Sequence, residues 1–219
     1  ARLSKIKIDT NDKDIKKIFY TALYHSMIMP TNFTDVNGQY LGFNEKVGVA
    51  EGYTYRTDLS LWDTVRTTHP LYTLIEKEIQ LDSVKSLIAM AEESGALPRW
   101  PSGAGESGSM FGTPADLLIA ETYLKGLTDF DAEKAYNFMK NTALETDDDS
   151  PAAKRDYNKE YLQYGYIPAQ AGKRSVSYAL EYAWEDYSIA LLAEALGKFE
   201  DAEFFKERSK SYKNIFNHE

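Results

Sequence analysis

At 219 residues, with a formal charge of −9 and 43% hydrophobic against 27% charged side chains, the chain suits one globular core or part of a larger fold. The negative charge, with no basic stripe interleaved with aromatics to offset it, argues against nucleic acid as a partner. The lack of cysteine excludes disulfides, thiolate metal sites and thiol nucleophiles, and no apolar run reaches the roughly eighteen residues of a membrane span.

The opening Ala1-Arg2-Leu3-Ser4-Lys5-Ile6-Lys7-Ile8 alternates like a short strand and lacks the apolar middle of a signal peptide. Targeting is therefore not readable from it, and residues 1–10 are expected to be a lead-in segment of a longer chain. Asn11 and Asp12 cap a helix expected from about Asp14 to Met29, with Ile15, Ile18, Phe19 and Leu23 as its apolar stripe and Pro30 at its end. Helical periodicity then vanishes as far as Leu59. Within that interval Asp35-Val36-Asn37-Gly38-Gln39-Tyr40-Leu41-Gly42 places an Asn-Gly turn between aromatic-rich runs, which reads as a short hairpin or ordered loop. Its Asp-x-Asn-Gly start resembles a calcium loop but lacks the third carboxylate and the closing Glu, so no metal site is assigned to the chain.

Ser60-Leu61-Trp62-Asp63-Thr64-Val65-Arg66 gathers a flat apolar ring, a charged acceptor and a forked donor, the parts a sugar site needs. On a helix, Asp63 and Arg66 stand at i and i+3, where the guanidinium would hold the carboxylate ionised and aim it. The same residues also read as an ordinary helix start, with Ser60 as cap, Asp63 in the first turn and Trp62 in the core. This helix is expected to run to Ile75 with a break at His69-Pro70. Asp82 then caps an amphipathic helix carrying Val84, Leu87, Ile88 and Ala91, which Gly95 closes.

Gly103-x-Gly105-x-x-Gly108 formally matches a dinucleotide fingerprint, but two prolines precede it and no helix opens within it, so it reads instead as a loop at the lip of a cleft. Trp100 beside it is a candidate sugar platform. Thr113-Pro114-Ala115-Asp116 starts a helix that Gly126 stops, and Asp129 or Asp131 opens its antiparallel partner. The acidic run Glu145 to Ser150 reads as a solvated loop. The longest helical pattern spans Val176 to Leu196, with a core stripe of Val176, Ala179, Leu180, Ala183, Tyr187, Ala190 and Leu191. Tyr178, Glu181, Tyr182 and Glu185 form a second flank without cations, expected to look into a cleft. A last helix is expected from about Glu200 to Phe216. Seven or eight helices joined mostly by short turns predict an all-α fold, part of a toroid of paired helices with long ordered loops.

Several segments together resemble the catalytic domain of the glycoside hydrolase family 92 alpha-mannosidases. They include Tyr24-His25, Asp35 to Tyr40, Ser60 to Thr64 with Arg66, His69-Pro70-Leu71, Gly95-x-Leu97-Pro98-x-Trp100, Lys125-Gly126, Gly165-Tyr166-Ile167-Pro168, and Leu180-Glu181-Tyr182-Ala183 with Asp186. The resemblance runs from about Phe19 to Asn217. It implies an incomplete (α/α)6 barrel over residues 1–219, preceded in the full enzyme by a beta-sandwich domain. It further implies a calcium-dependent, inverting exo-alpha-mannosidase acting on mannose-containing glycans in the periplasm or outside the cell. Asp63 would contact the terminal mannose and Trp62 would shape the pocket, with Arg66, Trp100 and Glu181 as further substrate-binding candidates. The family motifs for the general acid, the general base and the calcium ligands do not occur in these residues, so no catalytic residue is assigned here and those groups are expected downstream. The competing readings are another (α/α)6 glycosidase of trehalase-like or glucoamylase-like type, or a non-catalytic helical carbohydrate-binding or interaction scaffold.

Overall fold

The computed structural model describes residues 2–216, so Ala1 of the lead-in and Asn217 of the resemblance lie outside the described residues. Residues 2–4 form a 3-10 turn rather than the start of a strand. Lys5 then clips the lead-in to the body by donating to the Ile75 carbonyl and pairing with Glu76. Helix α1 (Lys13–His25) starts where the sequence places it, since the Asp12 carboxylate accepts from the backbone of Asp14 and Ile15. It ends earlier than expected. Ile15 and Ile18 are also exposed, leaving Leu23 as its buried residue, because the helix lies at the edge of the body.

Three two-stranded antiparallel ribbons follow in the loops. β1 (Thr31–Asn32) pairs with β4 (Arg56–Thr57), β2 (Gln39–Leu41) with β3 (Val47–Val49), and β5 (Pro101–Ser102) with β6 (Gly105–Glu106). The Asn37-Gly38 turn precedes β2, and residues 42–46 make the hairpin connection. Gly103, at a positive φ of 59°, turns the β5–β6 hairpin, which accounts for the glycine-rich run.

The Trp-Asp segment forms α2 (Leu61–Thr64) and α3 (Thr68–Ile75). Their break falls before Thr68 rather than at Pro70, which sits in the first turn of α3, where a missing N–H breaks no helical hydrogen bond. α4 (Lys77–Ser94) begins five residues before Asp82, so Asp82 is no cap. It is buried in mid-helix and clasped by Arg56 through Nε at 3.1 Å and Nη2 at 2.8 Å. Left-handed Gly95 ends the helix as expected.

α5 (Ala115–Leu124) and α6 (Ala132–Leu144) make the antiparallel pair, with Asp131 as the cap of α6. α7 (Asn158–Tyr164) was not expected: only Asn158 and Tyr161 are buried along it, too few for an apolar period. α8 (Ser175–Ala195) is the central post, packed on α5, α6 and α9 (Phe199–Arg208), and residues 209–215 continue α9 as a 3-10 helix. One cluster around Leu87, Met90, Leu118, Ile119, Met139 and Phe205 forms the main core.

α8 is rotated from the expected setting. Val176, Leu180 and Tyr187 face outward, whereas Tyr182, Glu185 and Asp186 point into the interior. Buried Arg155 and half-buried Arg208 pair with that interior flank, so it takes the inside place. The outward face, with Trp184 40% exposed, borders a groove of about 360 Å³ against Leu117 and Leu124.

Candidate functional site

α2 is a single turn, and Arg66 falls just past its end, so the expected Asp63–Arg66 pair does not form. The guanidinium instead lies 4.3 Å from the Trp62 ring centre and 5.1 Å from that of Trp184, a cation held between two indoles. Arg66 Nε donates to the Trp62 carbonyl at 3.0 Å, and Nη2 donates to Glu181 Oε1 at 2.9 Å. Trp62 Nε1 donates to the same Glu181 oxygen at 3.0 Å. Helix geometry on α8 and the short α2 thus bring four side chains from distant parts of the chain into one array. Asp63 stands beside it, exposed, its carboxylate without a hydrogen-bond or ionic partner among the described residues. A planar donor array next to an unpaired acceptor is suited to a polyhydroxylated ring.

Trp100 is half-buried and reaches the neighbourhood through the backbone. Pro101 accepts from Leu59 N–H at 3.1 Å, and Ser102 donates to Asp58, so the β5–β6 hairpin is tied to the entry of α2. No ring contact or side-chain hydrogen bond joins Trp100 to the Trp62 array among the described residues. Arg99 braces the loop that follows, donating to the carbonyls of Gly112 at 2.9 Å and Lys154 at 2.6 Å and pairing with Asp156 at 2.7 Å.

Behind Glu181, one turn along α8, lies a buried charge cluster that sequence reasoning missed. Glu185, expected in a cleft, is fully buried and accepts from Thr113. Arg155 pairs with Asp186 at 2.6 Å and lies 3.6 Å from Asp116 and 3.7 Å from Glu185. Arg208 grips both Asp186 oxygens at 2.6 Å, and the Tyr161 hydroxyl donates to the same carboxylate. Burial pushes the Asp116 carboxyl up to about 7 and that of Glu185 to about 8, with Arg155 pulling both the other way. The available signal was the adjacent Glu185-Asp186 inside an otherwise apolar helix, which demands buried counter-charges.

Among the described residues no three His, Asp or Glu side chains converge as metal ligands. The carboxylates that do gather are already answered by Arg155 and Arg208, and the Asp35-Asn37 segment closes a turn through its own backbone. The donors here do not fit a calcium ion.

All of residues 1–219 match the glycosyl hydrolase family 92 catalytic domain. A family GH92 alpha-mannosidase from Bacteroides thetaiotaomicron is 36% identical and superposes with a TM-score of 0.92, over 99% of this chain and 28% of that one. A family GH92 inverting mannosidase from the same organism is 29% identical, with a TM-score of 0.90, over 99% of this chain and 29% of that one. An uncharacterized secreted glycosidase of Arthroderma benhamiae is 27% identical over 92% of this chain and 23% of its own length. The chain thus spans between a fifth and a third of the relatives it matches, and its helical hairpins are those of an (α/α)6 barrel. On this match the chain belongs to the glycosyl hydrolase family 92 catalytic domain family.

Proposed function

We propose that the chain supplies the mannose-recognition part of an inverting exo-alpha-mannosidase. The observation that carries this reading is the unpaired Asp63 carboxylate beside the Trp62–Arg66–Glu181 array, in a chain of this family. Asp63 accepts hydrogen bonds from sugar hydroxyls, Trp62 walls the ring, and Arg66 and Glu181 fix the indole. Relatives support the choice of sugar: one is an inverting mannosidase, and another was solved in complex with mannoimidazole.

The acid and base of the reaction are not assigned to residues 1–219. Inversion needs two carboxyl groups roughly 6.5–9.5 Å apart with a water between them. Glu181 and Glu185 stand one turn apart on one helix, and Glu185 is sealed inside the fold, so the two cannot flank a glycosidic bond. Residues 1–219 are read as one incomplete segment of the barrel, with 1–10 leading in from a beta-sandwich and the rest of the catalytic domain completing the site. Calcium belongs to this reading through the family resemblance, with ligands outside this segment. A periplasmic or extracellular setting is supported by the secreted relative, and no described helix is long and apolar enough to cross a membrane.

The test is hydrolysis of an alpha-linked mannobiose by the protein carrying this chain, with calcium and with chelator. Turnover that is lost on chelation and restored by calcium is expected. Turnover indifferent to chelation, or confined to gluco-substrates, overturns the reading.

A further inference from the structure

Thr113 closes the glycine-rich loop two residues before α5, and its hydroxyl sits between two buried carboxyl groups. Oγ1 lies 2.7 Å from Asp116 Oδ2 and 2.9 Å from Glu185 Oε2. A hydroxyl has one hydrogen, so it donates to only one of these oxygens. The second contact, also at hydrogen-bond distance, requires a hydrogen that comes from a carboxyl group. The charge count agrees. Asp116, Glu185 and Asp186 are answered by Arg155 and Arg208, which leaves one negative charge in excess within a sealed space.

We propose that the Asp116–Thr113–Glu185 chain is a proton-binding site, and that the bound proton latches the end of the glycine-rich loop onto α8. Glu185 Oε1 completes the latch by accepting the Thr113 N–H at 2.5 Å. The fit is close: a Cβ on Gly112, whose φ is +72°, would stand 2.0 Å from that oxygen.

The groups facing the two acids come from every neighbouring element. Arg155 approaches from the segment before α7, and Glu181 lies on α8 one turn from Glu185, itself engaged by Arg66. Tyr182 lies on the same helix, and Asp186 faces Asp116 while being held by Arg155, Arg208 and Tyr161. Burial raises both acids toward neutrality, so the pair titrates as a unit that keeps one proton where free carboxylates have lost theirs. The folded state therefore holds a proton that the unfolded chain releases, so stability falls as pH rises from the ordinary carboxyl range, about 4, up to about 7 to 8, where the folded pair gives up its proton and the latch opens. This inference stands apart from the mannosidase reading, since its readout needs no substrate.

The test is hydrogen exchange of the peptide covering residues 107–116 in the protein carrying this chain. Protection is compared at about pH 6 and about pH 9 after correction for intrinsic exchange. The wild type is expected to lose protection about tenfold or more over that interval, a factor of ten corresponding to one pKa unit. Glu185→Gln is expected to hold its protection, because the amide keeps the acceptor for Thr113 N–H and donates to Oγ1 in place of the proton. Asp116→Asn substitutes for the proton from the other end of the chain and serves if the first variant misfolds. Infrared difference spectra of the wild type are expected to contain the C=O band of a protonated carboxyl at neutral pH, lost in either variant. Flat wild-type protection, equal loss in wild type and variants, or no such band at neutral pH overturns the proposal.

Discussion

Arg66 donates to Glu181 at 2.9 Å, across 115 positions of sequence, and so joins the end of α2 to the middle of α8. Because its guanidinium also stacks on Trp62, Arg66 sets the angle of the indole as well as answering a charge. Lysine keeps the charge but neither the fork nor the stack. Arg66→Lys is expected to raise KM for a mannoside about tenfold, near 1.4 kcal/mol, while kcat stays within about threefold. Separate measurement of kcat and KM checks this, and an equal fall in kcat would place Arg66 in the transition state instead.

Asp63 is exposed and unpaired, so it contributes little to folding. Asp63→Asn is expected to change unfolding free energy by less than about 0.5 kcal/mol. Loss of a charge-assisted hydrogen bond to substrate costs about 1.5–3 kcal/mol, or roughly 10- to 100-fold in kcat/KM. Urea melts alongside kinetics separate the two effects. A variant that unfolds early yet turns over normally would remove Asp63 from the site.

The buried pair of Arg155 and Asp186 makes the opposite prediction. Replacing Arg155 by Met strands several carboxylates in the interior and is expected to cost about 3–5 kcal/mol of stability. The midpoint of urea unfolding reads this directly. A loss below about 1 kcal/mol would mean that the cluster admits water.

His69 is fully buried against Gln80 at 2.8 Å, and burial pushes its imidazole down to about 4 from an ordinary 6.5. The unfolded chain takes up a proton below pH 6.5 that the folded chain refuses until about 4, so stability falls as pH drops through that window. The full effect is about 3 kcal/mol. His69→Gln is expected to flatten the stability profile in that range, as followed by thermal melts at fixed ionic strength. An unchanged acid slope would mean that other groups set it.

Much of the helical frame was legible because its signals are local. Gly95 and Gly126 adopt the positive φ that a helix stop invites, and Asp12 and Asp131 bond the backbone two or three residues ahead. Trp62, Arg66 and Glu181 each stood out by residue type, but the bonds that join them span 115 and 119 positions, which no local pattern shows. The setting of α8 was hidden, because whether Glu185 and Asp186 lie inside depends on Arg155 and Arg208, which no periodicity ties to them. Asp82 misled for the same reason: its partner Arg56 lies in a ribbon 26 residues earlier. α7 lacked an apolar stripe altogether.

The cation wedged between Trp62 and Trp184 has an optical consequence. The chain has three tryptophans, and two of them share this one guanidinium, while the third precedes the hairpin tied to α2. Tryptophan emission, excited beyond the tyrosine band, therefore comes from three indoles, two of which flank the proposed sugar pocket. A ligand that shifts Arg66 alters the colour and brightness of that light, so occupancy is readable without any attached dye.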